Sequence, residues 1–156
     1  MNQIPREEIA IPDGRCFYLP HHAVLKPDSS STTLRVVFDG SAKGSTGKSL
    51  NSTLLIGPPI QRHLIGVSLR FRQHPFVFTE DVVKMFGQIR VYDSHADYQR
   101  IVWGESPSTE IDHYSLRTVT YGTASAPFLS VRILKQLAKD YTSDYLNEAR
   151  VILEDV

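Results

Sequence analysis

The sequence predicts an α+β protein, and three observations carry that prediction. Residues 16–25 (CFYLPHHAVL) and 33–38 (TLRVVF) are rich in β-branched and aromatic residues and flank a Lys-Pro-Asp-Ser-Ser-Ser turn. Further runs of the same kind follow one another between 76 and 119 without a long helix between them. The run TASAPFLSVRILKQLAKDY then repeats its apolar residues with the helical period. Strands in succession and a helix set apart from them read as α+β.

The elements follow in order. Residues 16–25 and 33–38 form a hairpin that carries Lys26 near its tip. Residues 40–52 (GSAKGSTGKSLNS) are small, polar and Gly-rich, which makes them a loop. After Leu54-Leu-Ile56, Gly57-Pro58-Pro59 is a firm break. Ile60, Leu64, Val67 and Leu69 or Phe71 then recur at helical spacing. Residues 76–81 (FVFTED) read as a short strand ending in an acid, followed by the turn VVKMF and a strand at QIRV. IVW and HYSLRTV bracket a turn at Glu105–Thr109 as two more strands. In the last long helix Ser125 is placed to cap the start and Pro127 fits the first turn. Phe128, Val131, Leu134, Leu137 with Ala138, and Tyr141 make its apolar face. RVILEDV reads as a final strand.

Composition narrows the function classes. The chain has 156 residues, 41% hydrophobic and 22% charged, which suits about one ordered domain. Its apolar runs are too short to span a bilayer, and no signal peptide is expected. Cys16 is the single cysteine, so neither an internal disulfide nor a Cys-rich zinc module can form within these residues. Formal net charge is zero, but residues 35–74 hold six Lys/Arg against Asp39 alone, whereas 105–156 hold eight acids against five bases. Such a division can give a bipolar surface with one side suited to phosphates, although ordinary surface charge also accounts for it.

AKGSTGKS, Ala42 to Ser49, fits the relaxed pattern of a P-loop. A P-loop needs a long helix starting at its Gly-Lys-Ser, because that helix's N-terminal N–H groups hold the phosphates. Here Leu-Asn-Ser-Thr-Leu-Leu-Ile precedes Gly-Pro-Pro, which leaves room for two turns at most. A nucleotide hydrolase is the weaker enzymatic reading.

Asp81 carries more. An acid at the end of a buried strand, followed by a tight apolar turn, aims a carboxylate at a metal from a rigid scaffold, although a structural Asp capping the turn is as common. In nucleotidyl transfer such carboxylates hold two magnesium ions about 4 Å apart. The order strand, turn, three strands, long helix, strand is close to the split β-α-β layout of polymerase palms.

LRVVFDGSAK, SLNSTLLIGPP, FTEDVVKMFGQIRV, QRIVW and TVTYGTASAPFLSVRIL resemble, in order, consecutive blocks of the reverse transcriptase of Pao/BEL-type LTR retrotransposons. CFYLPHHAVLK is similar to that family's entry into the fingers, and Arg-Val-Val-Phe-Asp with Leu50-Asn51 to its fingers motif. The resemblance spans nearly the whole chain. It implies right-hand polymerase fingers at 1–75 and a partial palm at 76–156, with a ferredoxin-like antiparallel sheet and helices on one face. The implied activity is RNA-directed DNA polymerisation: a primer 3′-OH attacks the α-phosphate of a dNTP on an RNA or DNA template, assisted by two Mg2+ ions.

The resemblance also implies roles. Asp81 matches the first catalytic aspartate and metal ligand, with the Val82 carbonyl as a further metal contact. Phe86 stands at the steric-gate position that excludes a 2′-OH; read alone, it is a core residue. Lys26 and Arg35 lie where the fingers hairpin contacts the triphosphate, and Asp39 braces that hairpin. Tyr121 and Gly122 match the loop against the nucleotide. Ala126 and Pro127 match the helix start against the template base. Apart from the resemblance, the charge of the basic segment makes Arg62, Arg70 and Arg72 candidates for nucleic-acid contact. In this family the remaining metal carboxylates belong to a Tyr-Val-Asp-Asp hairpin. The sequence does not contain that motif, so no activity is expected from these residues alone. Gly87 stands where relatives commonly carry a larger residue. The resemblance implies the rest of a retrotransposon polyprotein as partner, no membrane, and an intracellular setting in a cytoplasmic particle or the nucleus. The alternative is a non-catalytic, nucleic-acid-binding remnant or host-adopted fragment.

Overall fold

A computed structural model describes residues 1–10, 15–29 and 32–156 of the chain. Among them β1 (Asn2–Gln3), β2 (His21–Leu25), β3 (Leu34–Phe38), β4 (Arg100–Trp103) and β5 (Asp112–Ser115) form two small antiparallel sheets. They accompany α1 (Leu50–Thr53), α2 (Leu64–Phe71), α3 (Ala126–Asp140) and α4 (Leu146–Asp155). The protein is therefore α+β. Among the described residues no helix is long and apolar enough to cross a membrane.

Pro20 divides the first strand-like run between the two sheets. Because proline has no N–H to give a ladder, it serves at strand boundaries. Before it, the Leu19 N–H donates to the Arg100 carbonyl (2.8 Å) and the Arg100 N–H to the Phe17 carbonyl (3.0 Å), which ties residues 17–19 to β4. After it, β2 pairs with β3 from His21 opposite Phe38 to Leu25 opposite Leu34. The Lys26 N–H donates to the Thr33 carbonyl at 2.7 Å and closes the hairpin beyond the strands. Ser30 and Ser31 of the expected turn lie outside the described residues.

The second sheet has the order β1-β5-β4. β4 and β5 pair from Arg100 opposite Ser115 to Trp103 opposite Asp112, on either side of the predicted turn. There Thr109 Oγ1 accepts from the Ser106 N–H and donates to the Ser106 carbonyl. β1 flanks β5 with Asn2 opposite Ser115, so the first residues of the region 1–75 complete a sheet whose other strands belong to 76–156. Leu19, Leu50 and Ile101 form the core with Phe17, Phe38, Leu54, Tyr114 and Leu116 around them. It thus joins the base of the hairpin, α1 and the second sheet.

Among the described residues Arg100 is the largest fully buried side chain, 2% exposed. Its guanidinium donates to Asp97 Oδ1 (2.7 and 2.9 Å) and to the carbonyls of Ile9 (3.1 Å) and Glu8 (3.3 Å). Burial works against its charge, but the hydrogen bonds it donates to Tyr18 and Asp97, with the Asp97 charge, outweigh that and raise its pKa. The Tyr18 hydroxyl sits 2.6 Å from Nδ1 of His113.

Four expectations need correction. Residues 76–81 form no strand: Phe76 and Phe78 are 92% and 83% exposed, and no neighbouring strand takes their backbone groups among the described residues. QIRV contributes one isolated bridge, Arg90 to Thr118, in place of a strand. RVILEDV is the end of α4 and not a strand. The β-branched residues there are overruled by packing, since Ala149 is buried and α4 lies against α3. An i,i+4 pair, Arg150 Nε to Glu154 Oε1 at 3.1 Å, supports the same helix. Ser125 makes no side-chain cap, because its backbone is already helical (φ −84°, ψ −13°) and a capping residue needs an extended one.

Candidate functional site

Three sequence blocks, far apart along the chain, meet at one junction between β3, the Gly/Ser loop and the start of α3. Asn51 is its hub. The Asn51 N–H donates to the Gly40 carbonyl (2.8 Å), which seats the first turn of α1 against the end of β3. Its Nδ2 donates to Ser41 Oγ (2.9 Å) and the Gly122 carbonyl (3.0 Å), while its Oδ1 accepts from the Ala124 N–H (2.8 Å). One amide side chain therefore fixes the loop before α3 to the loop after β3.

Both glycines here are dictated by space. Gly122 has φ +89°, and a Cβ there would stand 2.2 Å from the Phe38 carbonyl oxygen. At Gly40 a Cβ would stand 2.8 Å from both Asn51 Oδ1 and the Gly122 carbonyl. Tyr121 completes the junction. Its hydroxyl donates to the Val36 carbonyl at 2.6 Å, and its ring lies 5.1 Å from that of Phe38, tilted by 57°. Burial pushes the Tyr121 phenol above the usual tyrosine value, which keeps it a neutral donor. Asp39 braces the adjoining turn by accepting from the N–H groups of Ser41 (2.9 Å) and Ala42 (3.0 Å).

Around this junction, Arg35 is exposed on β3 opposite Val24, and Lys26 is exposed at the end of the hairpin. Ala126 is buried and Pro127 exposed at the first turn of α3. Phe86 is half-buried in the short 3₁₀ helix Met85–Gln88, which packs beside α3. Lys84 precedes that helix in a left-handed conformation, φ 51°.

The other expected site residues are not gathered there. Asp81 is exposed in an irregular segment. The Val82 carbonyl accepts from the Met85 N–H at 3.2 Å, which starts the turn into the Phe86 helix. No group of three His, Cys, Asp or Glu side chains able to hold a metal occurs among the described residues. Arg62 and Arg72 are exposed before and after α2. Arg70 is half-buried and already paired: its Nε donates to Asp155 Oδ1 at 2.7 Å, and its guanidinium also reaches the Glu154 carbonyl. Lys48 is exposed, and α1 beyond it is a single turn capped by Ser49.

Asn51 and Gly40 were the residues that sequence reasoning left without a role. Asn51 follows Leu50 in a quoted motif, yet nothing local says that its amide bridges to residues 71 and 73 positions away. The chain matches no protein-family model and no curated protein sequence at a significant level.

Proposed function

We propose that this chain is the fingers and part of the palm of a retrotransposon RNA-directed DNA polymerase, similar to those of Pao/BEL-type LTR elements. The observation that carries the reading is the junction. Arg-Val-Val-Phe-Asp-Gly, Leu-Asn and Tyr-Gly-Thr-Ala are the blocks on which the resemblance rests, and Tyr121, Asn51 and Gly122 hydrogen-bond them together. A hairpin with exposed Lys26 and Arg35, anchored at its base by Tyr121, is suited to hold a dNTP triphosphate.

In this mechanism Lys26 and Arg35 neutralise the phosphates. Gly122 gives close backbone approach to the nucleotide, and Phe86 lies under the sugar to reject a 2′-OH. Asp81 and the Val82 carbonyl are the residues that would hold Mg2+, which when bound would supply activation of the primer 3′-OH and charge stabilisation of the leaving group. The sequence holds only this part of the carboxylate set. Purified alone, the chain is therefore expected to bind dNTP and template-primer without extending the primer.

The test is photo-crosslinking of radiolabelled dTTP to the 156-residue chain in the presence of poly(rA)/oligo(dT). Labelling is expected, and Lys26→Ala with Arg35→Ala should reduce it at least about tenfold, in keeping with loss of charge-assisted phosphate contacts. Equal labelling of parent and double variant would refute the assignment. Magnesium-dependent extension that disappears in Asp81→Ala would instead show that the chain is sufficient for catalysis.

A second reading has its own support: Arg35, Lys43, Lys48, Arg62 and Arg72 are all exposed. A non-catalytic nucleic-acid-binding protein would use these cations and no metal. Its binding to single-stranded RNA would fall steeply with salt and be unchanged in Asp81→Ala.

A further inference from the structure

We propose that a second site, adjoining the junction, takes a small uncharged aromatic molecule of about two fused rings that carries a hydroxyl or similar group. It is a cavity of about 490 Å3 between α1, the 3₁₀ helix Asp93–Gln99 and the first turn of α3. Both its volume and the make-up of its wall are those of small-molecule sites.

Leu50, Leu54, Val91, Val119 and Leu129 give the wall its aliphatic surface. Three polar residues of the wall are turned to the backbone. The Thr53 hydroxyl donates to the Leu50 carbonyl (2.8 Å) and that of Thr123 to the Thr120 carbonyl (2.7 Å). Gln99 Nε2 donates to the Leu116 carbonyl at 3.5 Å. None of the described residues lining the cavity is an acid, a lysine or an arginine. A charged ligand would therefore lose its water without meeting a counter-charge, and the wall selects a neutral one.

Volume and rim set the rest. An apolar cavity of about 150 Å3 accepts one benzene ring. This one is about three times as large, which suits two fused rings with room for a substituent. His95 and Tyr98 also line it and are exposed. They lie three residues apart in a 3₁₀ helix, so both stand on the same side of it. Together they put hydrogen-bonding groups at the edge of the cavity, where a hydroxyl on the rings can meet them. None of the lining residues belongs to the proposed nucleotide contacts, so the two readings stand or fall separately.

The experiment is calorimetric titration of the 156-residue chain with 2-naphthol, with 15N NMR showing which amides move. Saturable binding is expected, with shifts centred on Val91, Val119 and Leu129. Naphthalene-2-sulfonate has the same rings and a fixed charge, and it should bind at least about tenfold more weakly. Leu129→Trp from α3 and Thr53→Phe from α1 each put a ring into the cavity and should weaken 2-naphthol binding at least about tenfold. Circular dichroism checks that each variant is folded, and Thr53, which is exposed, carries the test if Leu129→Trp does not fold. No saturable binding, equal affinity for the sulfonate, or unchanged affinity in a folded variant would overturn the proposal. So would a dimer that Thr53→Phe abolishes, since a side chain of a second copy would then be the occupant.

Discussion

The junction at Gly122 and the segment from Phe76 to Val83 differ in how many contacts decide their conformation. At the junction every polar group of the Asn51 side chain is used, the Gly122 backbone is pressed against the Phe38 carbonyl, and Tyr121 reaches across to β3. From Phe76 to Val83 the backbone is irregular, and Phe76, Phe78 and Val83 project into solvent. The resemblance assigns nucleotide contacts to the first region and the metal to the second. The part that would hold the nucleotide is thus built from contacts within the chain, whereas Asp81 stands on a stretch that its own neighbours do not define. Hydrogen bonds concentrate in the first region and not in the one to which the metal is assigned.

Mutations can break or sharpen this contrast. The largest effect is expected for Gly122→Ala, which combines a left-handed backbone with a Cβ driven into a carbonyl. It should destabilise the fold by on the order of 3 kcal/mol, read from the shift of the urea midpoint. A shift of a few tenths would mean that the close approach does not exist. Asn51→Ala comes next. It strands the Ala124 N–H and loses two donated bonds, and a loss of about 2 kcal/mol is expected in the same assay.

Tyr121→Phe is smaller, about 1 kcal/mol, because one hydrogen bond is removed and the ring contact with Phe38 is kept. It also has a pH signature. Burial holds the folded-state pKa of Tyr121 above its ordinary 10.0. The stability it confers is therefore complete below that pH and declines as pH rises through the folded value. Parent and Tyr121→Phe stabilities should converge in urea titrations taken at increasing pH above 10.0 and not below it. Parallel curves would remove the link. The smallest effect is expected for Phe76→Ser with Phe78→Ser, within about 0.5 kcal/mol, since both rings are already in water. A large loss there would show that the segment packs against something, and the contrast would fail.

Local pattern made part of this legible. The hairpin announced itself through two strand-like runs and a turn between them, and α3 through its apolar period. Both formed close to where the residues placed them. Residues 76–81 and 150–156 misled for a shared reason. Their β-branched and aromatic residues fit a pleated surface, but a strand exists only with a neighbour, and α3 offered the second segment a helical packing partner instead. The site was legible as motif and not as geometry. Tyr121 and Gly122 were singled out as a pair for nucleotide contact, whereas the partners they have in the fold, Val36, Phe38 and Asn51, lie too far away along the chain for any local rule. Arg70 is the same case in reverse: it reads as a free cation, and only the folded chain brings Asp155 to it.

β1 has a consequence for the order of assembly. Its partner β5 is made more than a hundred residues later, and the carbonyls of Ile9 and Glu8 wait 91 and 92 residues for Arg100. At ordinary translation rates that interval is on the order of ten seconds. Throughout it the first strand of the chain has no ladder to join, while the β2–β3 hairpin can close as soon as it emerges. β1 is made well before β5 and is among the last of these strands to find its place.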